Sequence, residues 1–543
     1  MGKLKELWDD EQGKIILVSG LFGICGAFTI YFVTPWGPSM GSDSVMYLLS
    51  AKNLVDVGYL GIIWGQGSVE PSAINPPALS LLIAGLYILG MDVLSAMRTV
   101  DIVSFGLLLF FVSILSYRIT RHFGLSIQLS VLFFCTPFIF ASYIDAMSEG
   151  LFYFFMVTGL LFLLLYLEKK CRFPLIVSAI FALGAFMTRY VGIVIPIVCL
   201  LGIVFLNQQN WKKRLLDGLI FCLISPGLSF IWFSWNYFTT SHLGQRTVKG
   251  VFDLWKSSIE FRLGLSSIIW NWLTLNSNVV VSYDIRKVSI SLFLFVIGIL
   301  IAFLFYKVFR FPEKKQYLAL VHWITLFALT AVMYVVVYFF AFALTTPAPD
   351  LIERIASPIY IAAIMTIYGM IYLAIEIWKD KKWLRWFSWA FLVIAVLFYL
   401  PKTTMLADTM RTEGRGYSSK AWRESPVISA IEQLPDAIPV VTNEPAAVLF
   451  LTGREAIWVT EALGMQEEQP DSYGKSQTDF GESVFRNGGA LVLFPSFYKQ
   501  QRDSFYGKQA EGRLEAMLEG LITYKSFGPY SGIYFYKQDL LPK

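Results

Sequence analysis

Along this chain, apolar runs long enough to cross a bilayer recur between short polar breaks. Runs at 15–33, 99–117, 126–143, 150–167, 173–188, 190–206, 215–236, 288–306, 318–344, 355–377 and 384–400 predict about eleven helices, taking roughly 17–25 apolar residues as one span. The fifth and sixth are short and share one apolar stretch, broken at Thr188-Arg189. After Pro401 the runs shorten and charge rises. Ala437–Val441, Ala446–Leu451, Ala456–Val459, Ala490–Phe494 and Ile533–Tyr536 read as strands, with helices near 426–434 and 509–520 between them. The pattern predicts a mainly α, polytopic transmembrane helical bundle over 1–400, followed by a small α/β domain over 401–543.

The polar breaks alternate in character. Lys3/Lys5/Lys14, Arg118/Arg121, Lys169/Lys170/Arg172, Lys212/Lys213/Arg214, Lys307/Arg310/Lys314/Lys315 and Lys379/Lys381/Lys382/Arg385 all fall on one side, as the positive-inside tendency requires. The segments 34–98, 144–149, 237–287 and 345–354 and the tail 401–543 then lie outside the cytoplasm. This sidedness makes the apolar stretch from Pro77 to Met91 an interfacial helix, because one more span would reverse every later loop. The first run has no small-residue cleavage site after it, so it reads as an uncleaved helix rather than a signal peptide.

The outer loop 34–98 is unusually long. From Ser44 to Val57, apolar Val45, Leu48, Leu49, Leu54 and Val55 interleave with polar residues at an irregular helical period, with Ser42 or Asp43 as the expected cap. Gly58 and Gly61 end that helix, and Asn75-Pro76-Pro77 opens the next. The segment 237–287 alternates Trp255, Phe261, Trp270 and Trp272 with Lys256 and Arg262, which suits either a cover lying on lipid head groups or a purely structural lid.

Composition narrows the chemistry. The chain is 56% hydrophobic and only 15% charged, against about 25% charged in soluble domains. The formal charge of +5 belongs to the membrane part, since the tail holds about 15 basic against about 18 acidic side chains. The charge therefore reports orientation, and no nucleic-acid partner is implied. Cys25, Cys135, Cys171, Cys199 and Cys222 all lie in or beside apolar runs and offer no CxxC site or disulfide framework. With His122, His242 and His322 scattered, a histidine metal centre is not expected. Gly61-Ile-Ile-Trp-Gly-Gln-Gly does not sit between a strand and a helix as a phosphate-cradling loop does.

The outer loops hold a recognisable series of motifs: GSDSVMYLLSAKNLVDVGYLG, NPPALSLLIAGLYILG, DAMSEGLFYFF, TRYVG and RIASPIY. In this order they resemble the GT-C glycosyltransferases, nearest to the branch of protein O-mannosyltransferases and lipid A aminoarabinose transferases. The likeness covers roughly 1–400, and the tail is similar only in being an extracytoplasmic domain. It implies transfer of a sugar from a polyprenyl-phosphate carrier to an extracytoplasmic acceptor, which is a glycan, lipid or protein. Inversion by single displacement is the expected stereochemistry.

Such a reaction needs a base for the attacking hydroxyl, and the departing phosphate needs cations more than a general acid. Asp43 is the candidate base, its simpler reading being a plain helix cap. Ser44 follows it where the mannosyltransferase pattern has Glu, which bears on the acceptor. Asp145 and Glu149, one helical turn apart, are candidates to orient the acceptor, to hold a divalent cation with Asp43, to cap a helix end, or to pair with Arg189. Arg354, in an Arg-x-x-x-Pro signature similar to the family's, is the candidate for the donor phosphate together with Arg189, the alternative being interfacial snorkelling. Lys52, Arg98, Arg246, Lys249, Arg286 and Lys287 share the outer side without ranking.

The rival function is a lipid-linked sugar flippase or transporter, though the sequence shows neither two similar halves nor a mid-membrane charge cluster. A lipid-binding scaffold without turnover is a third reading. Low cysteine use and the lack of a retrieval signal point to a bacterial plasma membrane.

Overall fold

The computed structural model describes residues 11–63, 69–72, 75–241, 244, 246–249, 253–274, 298–300, 302–306, 317–458, 484–496, 499, 511–512, 515 and 518–536. The chain packs as two units, one of Met1–Pro35 with Ser72–Arg411 and one of Trp36–Pro71 with Thr412–Lys543.

In chain order the first unit contains α1 (Glu11–Val33) and, after the loop assigned to the second unit, α3 (Ala78–Ile88), α4 (Val93–Thr120), α5 (Phe123–Cys135), α6 (Pro137–Ile144), α7 (Ser148–Lys169), α8 (Arg172–Thr188) and α9 (Val194–Leu201). It continues with α10 (Trp211–Thr240), α11 (Leu254–Thr274), α12 (Leu318–Leu344), α13 (Glu353–Ile377) and α14 (Lys382–Thr412). The helix after α1, α2 (Ser42–Asp56), belongs to the second unit.

Among the described residues, seven helices are long and apolar enough to cross a membrane, and eight if α5 and α6, bent by 60° at their junction, form one span. This is a multi-pass membrane protein. The expected spans 173–188 and 190–206 appear as shorter apolar helices, and most of 288–306 lies outside the described residues. The stretch from Pro77 to Met91 yields the 11-residue α3, about 16 Å long at 1.5 Å per residue and too short for a core of about 30 Å.

Burial identifies the centre of this unit. In α7, 89% of the apolar window is buried within the protein, against 22% in α1 and α10 and 17% in α14. The outer helices instead expose Leu21, Ile24, Phe230, Trp386 and Leu397, the surface expected against lipid chains, where apolar exposure costs nothing. α7 packs between α4 and α8, and α4 in turn holds α1.

The second unit carries a five-stranded sheet. Its strands are β5 (Val440–Thr442), β6 (Ala456–Trp458), β7 (Ala490–Leu493), β8 (Ile522–Gly528) and β9 (Ser531–Phe535), after two-stranded pairs of β1 (Gly61–Ile63) with β2 (Val69–Pro71) in this unit and β3 (Thr247–Val248) with β4 (Thr345–Thr346) in the first. The order is β6-β5-β7-β9-β8, parallel from β6 to β7 and antiparallel beyond. Alternate residues serve opposite faces. Val440, Ala490, Val492, Ile533 and Phe535 pack on one side with α16 (Pro426–Glu432), which follows the short α15 (Lys420–Arg423), while Val441, Leu491, Leu493 and Tyr534 pack on the other.

One expected strand is a helix. Ala446–Leu451 lies in α17 (Pro445–Thr452), which starts with Pro445 in its first turn and stops at Gly453, whose φ is +72°. Pro at the start and Gly past the end bound a helix, and an unbroken apolar run cannot by itself separate the two states. The structure adds β8, and of the helix expected near 509–520 only scattered residues are described. The segment 237–287 contributes α11, whose Phe261 and Trp272 are buried, and residues 275–287 lie outside the described set.

The contact between α1 and α4 generates a test. A Cβ on Gly106 would lie 2.8 Å from the Gly23 carbonyl oxygen and 3.0 Å from the Ala27 Cβ, whereas a Cβ on Gly20 meets nothing within 4 Å. Gly106→Val is therefore expected to lower stability by about 1–3 kcal/mol. Thermal unfolding in detergent should show that loss, with Gly20→Ala at or slightly above the wild-type midpoint.

Candidate functional site

The first unit gathers three of the predicted residues. Glu149, in the first turn of α7, is 1% exposed, and its Oε1 lies 2.5 Å from Arg189 Nη1 and 3.2 Å from Arg354 Nε. Arg189 also donates to Ser148 Oγ at 3.2 Å. One buried carboxylate thus faces two guanidiniums. A carboxylate at the start of a helix also opposes the positive end of the peptide dipoles.

Each cation sits where the backbone breaks. Arg354 precedes Pro358 by four residues within α13, and Pro358 has no N–H to give the Arg354 carbonyl. Ser357 Oγ donates to that carbonyl at 2.7 Å, and the Tyr153 hydroxyl reaches it at 3.5 Å. Tyr334 donates to the next carbonyl, Ile355 O, at 2.8 Å. The Arg-x-x-x-Pro spacing therefore places the guanidinium on the turn that proline loosens, with hydroxyls replacing the lost helical bond.

Arg189 ends α8 in extended conformation, with φ −147° and ψ 134°, before a 3-10 turn at Tyr190–Ile193. Gly192 donates to Arg189 O at 2.8 Å, and a Cβ on Gly192 would overlap the Ala185 carbonyl. The Thr-Arg-Tyr-Val-Gly motif is thus a helix break that aims an arginine inward, with glycine required by the close approach.

Asp145 lies half-buried at the break between α6 and α7, where Met147 N–H donates to its carbonyl at 2.7 Å. It is in electrostatic range of Asp101 on α4, which is 1% exposed and whose carboxyl oxygens make no hydrogen bond among the described residues. Sequence reasoning passed over Asp101, although a carboxyl inside an apolar run is itself a signal. Tyr153, which also contacts Ser142 and Ser357 hydroxyls and so ties α6, α7 and α13 together, was masked by its aromatic surroundings.

Three other outer cations are occupied, and Lys52 is exposed on α2. Arg98 donates to Tyr31 O at 2.6 Å and to Thr34 Oγ1 at 3.0 Å, fastening the end of α1. Arg246 donates to Pro347 O, and Lys249 Nζ to Phe342 O at 3.4 Å. Arg286 and Lys287 lie outside the described residues. Among the described residues, no group of three or more His, Cys, Asp or Glu side chains is arranged to hold a metal ion.

Asp43 belongs to the second unit and is exposed in the first turn of α2. The expected side-chain cap is replaced by Gly41 at the N-cap position, whose N–H donates to Ser44 Oγ at 3.0 Å. Asp43 therefore keeps its carboxylate at the positive end of the helix without serving as the cap. Nearby in this unit, the Tyr417 hydroxyl donates to Glu444 Oε2 at 2.8 Å, and burial, followed by the Glu444 and Asp43 charges, pushes its phenol well above the usual range. Tyr417 thus remains a donor at neutral pH.

The ion-pair cluster has a thermodynamic signature. Glu149→Gln or Arg189→Gln alone should cost about 3–5 kcal/mol, because each strands buried charge. The pair together should cost less than the sum by about 1–3 kcal/mol, the coupling expected of residues in contact. Breaking the exposed Lys379–Glu376 pair, 3.2 Å apart, should cost below about 1 kcal/mol. Unfolding in detergent measures all three, and strict additivity at Glu149 and Arg189 would contradict the geometry.

No protein-family model and no curated protein matches the chain. Among solved structures it is similar to ArnT from Cupriavidus metallidurans in the apo state, at 12% identity and a TM-score of 0.55, over 96% of this chain and 98% of that one. It is also similar to the archaeal oligosaccharyltransferase AglB from Archaeoglobus fulgidus in complex with an inhibitory peptide and a dolichol-phosphate. That match has 13% identity and a TM-score of 0.51, over 98% of this chain and 75% of that one. At such identities the likeness speaks for architecture. The chain has the GT-C fold, a multi-pass helical membrane unit joined to a small sheet-bearing unit.

Proposed function

We propose that this protein is an integral membrane glycosyltransferase that moves a sugar from a polyprenyl-phosphate donor to an acceptor outside the cytoplasm. The observation that carries the reading is the meeting of two guanidiniums, Arg189 and Arg354, on the one carboxylate of Glu149. A carboxylate between two guanidiniums fixes both, and paired guanidiniums suit a phosphate, whose charge grows as the sugar leaves. Fold likeness to an oligosaccharyltransferase solved with a dolichol-phosphate supports the same class of carrier.

In this reading Arg354 and Arg189 meet the donor phosphate, with Glu149 holding them in register. Asp43 accepts the proton of the attacking acceptor hydroxyl as that oxygen bonds to the anomeric carbon. The carbon–oxygen bond to phosphate breaks in the same step, the electron pair staying on the phosphate and the anomeric centre inverting. Asp145, beside Asp101, orients the acceptor. The placement is a bacterial plasma membrane with the C-terminal unit outside the cytoplasm.

Purified protein supplied with radiolabelled polyprenyl-phosphate sugars and a panel of acceptors tests this directly. Wild type should transfer label. Asp43→Asn should lose transfer by about 100-fold or more while retaining the donor, as expected when a general base is removed. Arg354→Lys should raise donor KM about tenfold, since an ammonium cannot take two phosphate oxygens at once. Donor binding without turnover in wild type, across all donors and acceptors, would favour a lipid-linked sugar flippase.

A further inference from the structure

Three further features stand beyond the donor site. A cavity of about 580 Å³ among Arg121, His122, Lys170, Glu168, His322 and Glu376 mixes both charge signs and selects no ligand. Buried Asp101 with half-buried Asp145 offers no ligand beyond the acceptor already proposed. The third candidate, in the second unit, is carried by a continuous set of contacts.

The segment 36–43, which ends on Asp43, is fastened to 414–423 through its backbone. Met40 and Gly416 form a parallel bridge, and Tyr417 N–H donates to Met40 O at 2.9 Å. Ser418 Oγ donates to Pro38 O at 2.6 Å, and Arg423 Nη2 to Trp36 O at 3.0 Å. Gly416 has φ +61° and a Cβ there would overlap the Met40 carbonyl, so the approach requires glycine.

Tyr417 then links this clamp to the sheet. Its hydroxyl donates to Glu444 Oε2, and Ser496 Oγ donates to Glu444 Oε1 at 2.7 Å. Asn443 donates to Ser496 Oγ at 3.0 Å and accepts from Phe494 N–H at 2.9 Å. Asn443 and Phe494 directly follow β5 and β7, adjacent parallel strands, so the network occupies the carboxyl edge of the sheet. The Tyr417 ring stands 5.1 Å from Trp422, which stands 5.0 Å from Phe494 in the core. α2 packs on α17, whose N-cap is Glu444.

We infer that Tyr417, held by Glu444 and Ser496, is a positioning residue for Asp43, so that the carboxyl edge of the C-terminal sheet sets the placement of the base-bearing loop. This rests on the reading of Asp43 as the base. Asp43 opens α2, so its placement depends on how the segment leading into that helix is anchored, and misplacement by about 1 Å costs on the order of 100-fold in rate. The sheet edge supplies that anchor and gives residues 412–543 a role in the chemistry.

Two readouts on the full-length protein test it. Amide hydrogen exchange across 38–46 should quicken about tenfold or more in Tyr417→Phe and in Glu444→Gln, while 490–493 stays at the wild-type rate, because only the loop loses its anchor. In transfer assays both variants should lower kcat about tenfold with donor KM unchanged, and the double variant should match the singles, as members of one network do. Ser496→Ala, which loosens Glu444 without touching 36–43, should produce a smaller change of the same kind. Wild-type exchange across 38–46 in all three variants would overturn the inference even if Asp43→Asn abolishes transfer. Conversely, transfer that survives Asp43→Asn would remove the base assignment, and exchange would still decide whether the clamp exists.

Discussion

The organisation of the membrane unit depends on one constraint: a carboxylate that is almost wholly buried at the mouth of the most buried helix. A charge buried there calls for compensation, and two guanidiniums supply it. Because Arg189 comes from the end of α8 and Arg354 from the start of α13, that requirement also fixes where these elements meet α7. The pairing of two guanidiniums at one carboxylate is the property on which the proposed chemistry rests.

Helix irregularities build the site. The membrane interior tolerates a broken backbone only where freed carbonyls and amides find new partners. Pro358 releases the Arg354 carbonyl, and Ser357 and Tyr153 take it. Gly192 permits the turn that swings Arg189 out of α8. A hydroxyl-bearing neighbour at each break turns a local weakness into a fixed orientation, which a charged group needs to act on a departing phosphate.

Much of this was legible in the chain. Long apolar runs located the seven helices long enough to span, since roughly 20 consecutive apolar residues leave few alternatives, whereas 126–143 is a bent pair and 173–188 and 190–206 are shorter helices. Arg189 and Arg354 stood out as cations beside breaks, and Glu149 as an acid at a span mouth. Pairing of Glu149 with Arg189 was among the open readings, but the arrival of Arg354 at the same carboxylate was not legible, because it joins positions far apart in the chain. Ala446–Leu451 misled as a strand because an apolar run carries no period, and the capping role expected of Ser42 or Asp43 fell to Gly41, where backbone geometry decides. The grouping of 36–71 with the tail was likewise hidden, since it runs largely through main-chain bonds such as Tyr417 N–H to Met40 O.

The central claim is that the Glu149–Arg189–Arg354 cluster is a phosphate site, and binding of a sugar-free polyprenyl phosphate measures it without any assumption about turnover. Titration in detergent should give one site per chain whose affinity falls with salt, as exposed portions of a charge site are screened. In Arg354→Gln that affinity should drop about tenfold or more, the loss of a charge-assisted pair. Equal affinity in wild type and Arg354→Gln, or binding indifferent to the phosphate when the free prenol is substituted, would contradict the account.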